Sequence, residues 1–155
     1  MFAVKKDEVV VITADTGSDM ELVHAVASSV YAAGAKPMVI TIVAPDGVGK
    51  AADPGIPVDC LTGALLHCDV WIEFNHQWLL YSTPFERALD GNKKMRYMCL
   101  VDFDCALLTR VVGKVETPQL QKFMTAVANI HENAREVHVT TPAAVSYTHL
   151  RAHET

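Results

Sequence analysis

Short β-branched runs alternate with stretches of helical periodicity along this chain, and that alternation constrains its fold more than any other feature. Strands separated by helices are joined by crossover connections, which produce βαβ units and a mostly parallel sheet. The first run, Glu8–Thr13 (EVVVIT), is almost unbroken in apolar side chains, as a strand covered on both faces requires. A polar turn, Ala14–Ser18, follows it. Asp19 or Ser18 is placed to cap the next helix by accepting from its free amides, with Glu21 favourable in the first turn. That helix is expected over Met20–Ala33, with Leu22, Val23, Val26, Val30 and Ala33 on one face and Gly34 as its left-handed stop.

The same reading continues downstream. Lys36–Val43 is the second strand, and Pro37 at its start points to an edge position. Pro45–Pro57 carries three prolines and three glycines and is expected to be a mobile loop. A short helix over Cys60–His67 leads to a third strand, Asp69–Phe74. Thr83 and Pro84 open another helix, which Gly91 closes. Lys94–Val101 is the fourth strand and Phe103–Val112 a short helix. Pro118–Ala134 is a long helix with Leu120, Phe123, Met124, Val127 and Ile130 along its buried side, and Glu136–Thr140 is the fifth strand. The expected fold is α/β: a mostly parallel five-stranded sheet of order 2-1-3-4-5 with helices on both faces, Rossmann- or flavodoxin-like.

The last eleven residues, Val145–Thr155 (VSYTHLRAHET), match in order one reading frame of a DNA tag ligated onto fragments in transposon-based sequencing libraries. They are therefore set apart as a non-native tail, and residues 1–144 are taken as the leading α/β domain of a longer protein. A domain of that length can bury a sizeable core. The net charge of −5 gives no clustered basic footprint, so nucleic acid is not an expected partner. No apolar run reaches the roughly 20 residues of a membrane span, and the start resembles no signal peptide, so a cytoplasmic location is expected. The four cysteines, Cys60, Cys68, Cys99 and Cys105, form no CxxC pair and are expected as buried or half-buried free thiols.

Candidate ligand contacts gather where strands end, because open α/β sheets bind ligands outside the carboxyl ends of their strands. Asp15, Thr16 and Gly17 follow the first strand. Thr16, Gly17 and Ser18 are placed to offer amides to an anion at the helix start, against the plainer reading of a capped turn. No GxGxxG or GxxxxGK[ST] phosphate fingerprint is present. His76 follows the third strand with Trp78 close by, and both are substrate-cleft candidates; Trp78 and Tyr81 could equally line a dimer surface or anchor their own loop. Asp102 and Asp104 follow the fourth strand. With no histidine near them in sequence, they read as caps of the helix at Cys105. His24 and His131 fall on solvated helix faces, and no two histidines have HExxH spacing. No catalytic or metal-ligating residue is assigned.

Three stretches together resemble the N-terminal domain of the aminopeptidase T family of metallopeptidases, an architecture shared with iron-dependent 2,5-dihydroxypyridine dioxygenases. They are Val9–Ile42 (VVVITADTGSDMELVHAVASSVYAAGAKPMVITI), Cys68–Phe74 (CDVWIEF) and Asn133–Ala143 (NAREVHVTTPA). The resemblance implies that the catalytic groups and a divalent metal (zinc, cobalt or iron) belong to a second, C-terminal domain missing here. It also implies that this domain covers the cleft and helps form a homodimer. A cytoplasmic metalloaminopeptidase fragment is the leading expectation. The alternatives are the ring-cleaving dioxygenase scaffold and a free-standing α/β ligand-binding module.

Overall fold

The structure, a computed structural model, describes the backbone of residues 3–141 and 144–149 and the side chains of residues 3–137. The chain divides into two compact units, Met1–Thr109 and Arg110–Thr155. The first unit contains β1 (Val9–Asp15), α1 (Met20–Ala32), β2 (Lys36–Ile42), a 3-10 helix (Gly49–Gly55), α2 (Val58–Leu66), β3 (Val70–Glu73), α3 (Thr83–Gly91), β4 (Arg96–Cys99) and α4 (Cys105–Leu108). Its four strands are parallel, in the order β2-β1-β3-β4, so β2 occupies an edge as Pro37 indicates.

β1 lies between β2 and β3, and this explains its composition. Val11 faces Met38 on one side and Trp71 on the other, and Val10, Val11 and Ile12 have no exposed surface. Side chains alternate across a strand, so the sheet feeds two cores. Val11 and Trp71 pack with Leu61 and Leu65 of α2 and with Phe85 and Ala88 of α3. Val10, Ile12, Val70 and Ile72 pack with Leu22, Val23 and Val30 of α1. Helices therefore cover both faces.

Local signals account for the ends of α1. The Asp19 carboxylate accepts from the amides of Glu21 at 3.1 Å and Leu22 at 3.2 Å. Gly34, at φ +83°, stops the helix while the amides of Gly34 and Ala35 return to the carbonyls of Tyr31 and Val30.

Tertiary contacts alter several expectations. Pro45–Pro57 is not a bare loop. Its 3-10 helix is tied to α3, where Asp53 accepts from the backbone amide and the hydroxyl of Thr83. Thr83 is consequently the first helical residue, and Ser82 is the cap, accepting from the Phe85 amide. The Phe103–Val112 segment forms only the four-residue α4 and then a π turn, Thr109–Gly113. Cys68 is buried and Cys105 half-buried, but Cys60 and Cys99 are exposed. Cys99 closes β4, whose far side has no strand partner in the four-stranded sheet. No helix of the described residues is long and apolar enough to cross a membrane.

The fifth strand departs from the expected order. In the second unit, β5 (Glu136–Thr141) pairs antiparallel with β6 (Ala144–His149), in a two-stranded sheet separate from the first. β6 consists mostly of the segment set apart as a tail. Its alternating sequence supplies a partner only two residues away, and closing so short a loop costs far less entropy than a distant pairing. The second unit also holds α5 (Thr117–Asn133). Its 3.6-residue apolar periodicity is real, yet within its own unit nothing buries the apolar side that carries Phe123 and Ile130. Periodicity marks a face and does not supply what covers it. The chain is expected to bind a fluorescent apolar dye in its folded state, with Phe123→Glu plus Ile130→Glu removing most of the signal. Equal dye binding by the double variant would show that the stripe is not the exposed apolar surface.

Candidate functional site

The three turns that follow β1, β3 and β4 converge at the carboxyl edge of the sheet. Asp15 ends β1 fully buried. One of its carboxylate oxygens accepts from the Gly17 amide and the other from the Gln77 amide, both at 2.8 Å. The Ser18 hydroxyl accepts from the Asp15 amide at 2.8 Å and donates to the Phe74 carbonyl at 2.9 Å. The turn after β1 is thereby stitched to the loop after β3. Asp15 holds backbone with both carboxylate oxygens, and the Ser18 hydroxyl lies 3.4 Å from the oxygen that takes the Gly17 amide.

Thr16 is exposed, and its hydroxyl oxygen accepts from the Ala44 amide at 3.1 Å. Gly17 is required by close approach. A Cβ there would sit 3.0 Å from Cβ and 3.2 Å from Cγ of His76. The His76 ring, about half exposed, lies against this turn and places Nδ1 2.5 Å from Oδ1 of Asp102. Asp102 has φ +57°, a left-handed conformation that aspartate tolerates better than most residues. That conformation turns its carboxylate toward the histidine. The histidine partner thought absent from the sequence near Asp102 arrives from a different strand end.

Together these groups line a cleft of about 110 Å³, walled by Gly17–Asp19, Phe74, His76 and residues 102–104. Its other carboxylates are occupied. Asp19 accepts from the Cys105 amide at 3.0 Å besides capping α1, and these amides, Cys105 foremost, hold its carboxyl below the usual aspartate range. Asp104 caps α4 through the Leu107 amide at 2.6 Å, as the sequence indicated. The His76–Asp102 pair joins two titratable side chains from different strand ends, beside a second such pair in which the Asp19 carboxylate meets the Cys105 thiol. In the tautomer that carries its proton on Nδ1, the ring donates to Asp102, and Nε2 is the nitrogen with no partner among the described residues.

Trp78 sits farther along the same loop, 44% exposed, and does not line this cleft; its carbonyl accepts from the Gly49 amide at 3.2 Å. Tyr81 is 65% exposed at φ +65°, a conformation rare for a bulky side chain and found where surrounding structure enforces it. Residues 76–82 thus present His76, Trp78 and Tyr81 on one loop.

Sequence reasoning assigned no functional role to Glu73, Asn75 or Tyr97. Glu73 is fully buried near the end of β3, accepting from the Leu79 amide and the Tyr97 hydroxyl. Burial pushes its carboxyl above the usual glutamate range, and burial together with the Glu73 carboxyl pushes the Tyr97 phenol up. The signal was an acid inside a strand that is otherwise apolar on both faces. Asn75 is fully buried, and among the described residues neither its side-chain nitrogen nor its oxygen has a hydrogen-bond partner. Among the described residues, no three His, Cys, Asp or Glu side chains are grouped so as to hold a metal ion.

No protein-family model matches the sequence, and no curated protein matches it. Among solved structures, the chain is similar to 2,5-dihydroxypyridine dioxygenase from Pseudomonas putida KT2440, with a TM-score of 0.69 and 20% identity. The match covers 92% of this chain and 41% of that enzyme. At this identity the likeness establishes the fold. The chain spans less than half the length of its structural neighbour.

Proposed function

We propose that this chain is the leading α/β domain of a two-domain, ring-cleaving dioxygenase of the 2,5-dihydroxypyridine type. In this reading the carboxyl edge forms one wall of the substrate cleft. The observation that supports it is the similarity of nearly the whole chain to under half of such an enzyme. Of the two chemistries the sequence resemblance left open, ring cleavage has a structural counterpart among the comparisons and peptide hydrolysis has none. The described residues do not fit a metal centre, so the iron that activates oxygen in such an enzyme would be held by the second domain.

The contribution of this chain is then positioning and proton handling. Asp102 fixes the tautomer and orientation of His76, whose Nε2 exchanges a proton with a substrate hydroxyl. Tyr81 and Trp78 stand exposed farther along the same loop, outside the cleft that His76 lines. Gly17, having no Cβ, leaves room for the base of the His76 side chain against the β1 turn.

The test uses the complete parent protein, loaded with ferrous iron without air and then given 2,5-dihydroxypyridine and oxygen. Oxygen uptake matching the loss of heteroaromatic absorbance is expected, with no cleavage of an aminoacyl 4-nitroanilide under zinc or cobalt. His76→Ala is expected to lower kcat/KM by about 10²–10⁴-fold, the usual range for a lost general acid–base group. Anilide cleavage without oxygen uptake would replace this reading with the peptidase.

A further inference from the structure

We propose that Asp15 and Glu73 act as a pair of positioning carboxylates that set the shape of loop 76–82. Each is fully buried at a strand end, and each accepts a backbone amide from that loop: Asp15 from Gln77, Glu73 from Leu79. The two acids lie on neighbouring parallel strands. Thr13 is paired with Glu73, and Asp15 stands two residues beyond it on the same face. They grip the loop two residues apart, on either side of Trp78. The Tyr97 hydroxyl, donating from β4, fixes the second oxygen of Glu73, so the grip on Leu79 is backed by a third strand.

The root of the loop is held through backbone, the Phe74 amide donating to the Thr13 carbonyl at 2.8 Å and the Phe74 carbonyl accepting from the Ser18 hydroxyl at 2.9 Å, while the buried Asn75 amide group has no partner among the described residues. The tip is restrained elsewhere, by the Gly49 amide on the Trp78 carbonyl and the Ser82 amide on the Leu79 carbonyl. A loop carrying a left-handed tyrosine needs this external definition, since its own backbone preference opposes the shape it holds. Apolar residues at 15 and 73 would pack, but they would leave the Gln77 and Leu79 amides unpaired. The significance for substrate rests on the proposed function, in which the loop carries His76 into the cleft wall; the positioning itself does not.

Amide hydrogen exchange on the full chain separates the two ideas, because it needs no enzymatic activity. Glu73→Leu is expected to speed exchange of residues 77–82 by at least about tenfold while β1 amides keep their protection, the sign of local opening. Glu73→Gln keeps an acceptor for Leu79 and a donor for Tyr97, and is expected to restore the wild-type rates. Asp15→Asn, which keeps one acceptor and loses the other, is expected to speed residues 76–78 alone. Identical loop exchange in the leucine and glutamine variants would overturn the proposal. So would an increase shared equally by β1, which would mark Glu73 as a general stabiliser. Should the leucine variant not fold, unchanged exchange at 76–78 in Asp15→Asn overturns it.

Discussion

Trp71→Ala is expected to lower the unfolding free energy of the chain by about 3–5 kcal/mol, the range for truncating a large buried aromatic. Trp71 has no exposed surface and lies 4.6 Å, centroid to centroid, from Tyr97 and 6.0 Å from Phe85. Its indole N–H donates to the Thr13 hydroxyl at 2.9 Å, joining β3 to β1 inside the core. The substitution removes a fully buried member of an aromatic cluster with Phe85 and Tyr97 and leaves a buried hydroxyl without its donor. Single domains have only about 5–15 kcal/mol of stability, so this one change consumes a large part of it. Urea titration followed by circular dichroism measures the loss. Trp78→Ala, made at the exposed loop tryptophan, is expected to stay within about 0.5 kcal/mol of wild type. Similar losses at the two positions would contradict the assigned core.

The second large effect is a pH dependence that resides in Glu73. Burial raises its carboxyl in the folded state, with the Asp15 charge adding to the effect and the Tyr97 and Leu79 hydrogen bonds opposing it. The folded state therefore holds the proton more tightly than the unfolded chain, whose glutamates titrate near about 4.3. Its contribution to stability is fully present below that value and is lost as pH rises toward the folded-state value. Within that window the slope approaches about 1.4 kcal/mol per pH unit for a single group. Asp19, Asp53 and Asp69, whose carboxyls are held below the usual range, act in the opposite sense at lower pH. The measurement is thus the difference between wild type and Glu73→Gln. Glutamine is expected to gain on wild type steadily above about pH 4.3. A pH-independent difference would show that the Glu73 carboxyl titrates normally.

The four-stranded sheet was legible because its signals are local. EVVVIT reads as a strand covered on both faces, and Pro37 as an edge residue, whatever surrounds them. Asp19, Gly34 and Asp104 act within a few residues of the helix ends they mark. The edge candidates Asp15, Thr16, Gly17 and His76 were found through a rule of topology, since each follows a strand. Their roles were not legible. Asp15 spends both oxygens on backbone, and Gly17 matters for the ring that lies against it. His76 finds Asp102 across 26 positions of sequence.

Sequence alone determined the α/β class, and it pointed to the parallel order of the first four strands and to the sheet edge where the candidate residues gather. The class follows from periodicity and capping, which a chain carries in short windows; the order and the edge follow from rules of α/β topology. Tertiary structure decided which strand β5 joins, that nothing within its own unit buries the apolar stripe of α5, and that Glu73 and Tyr97 meet in the core. It also decided that one histidine among several acquires a carboxylate. Each of these depends on a partner brought from a distance by packing, and no window of sequence contains that partner.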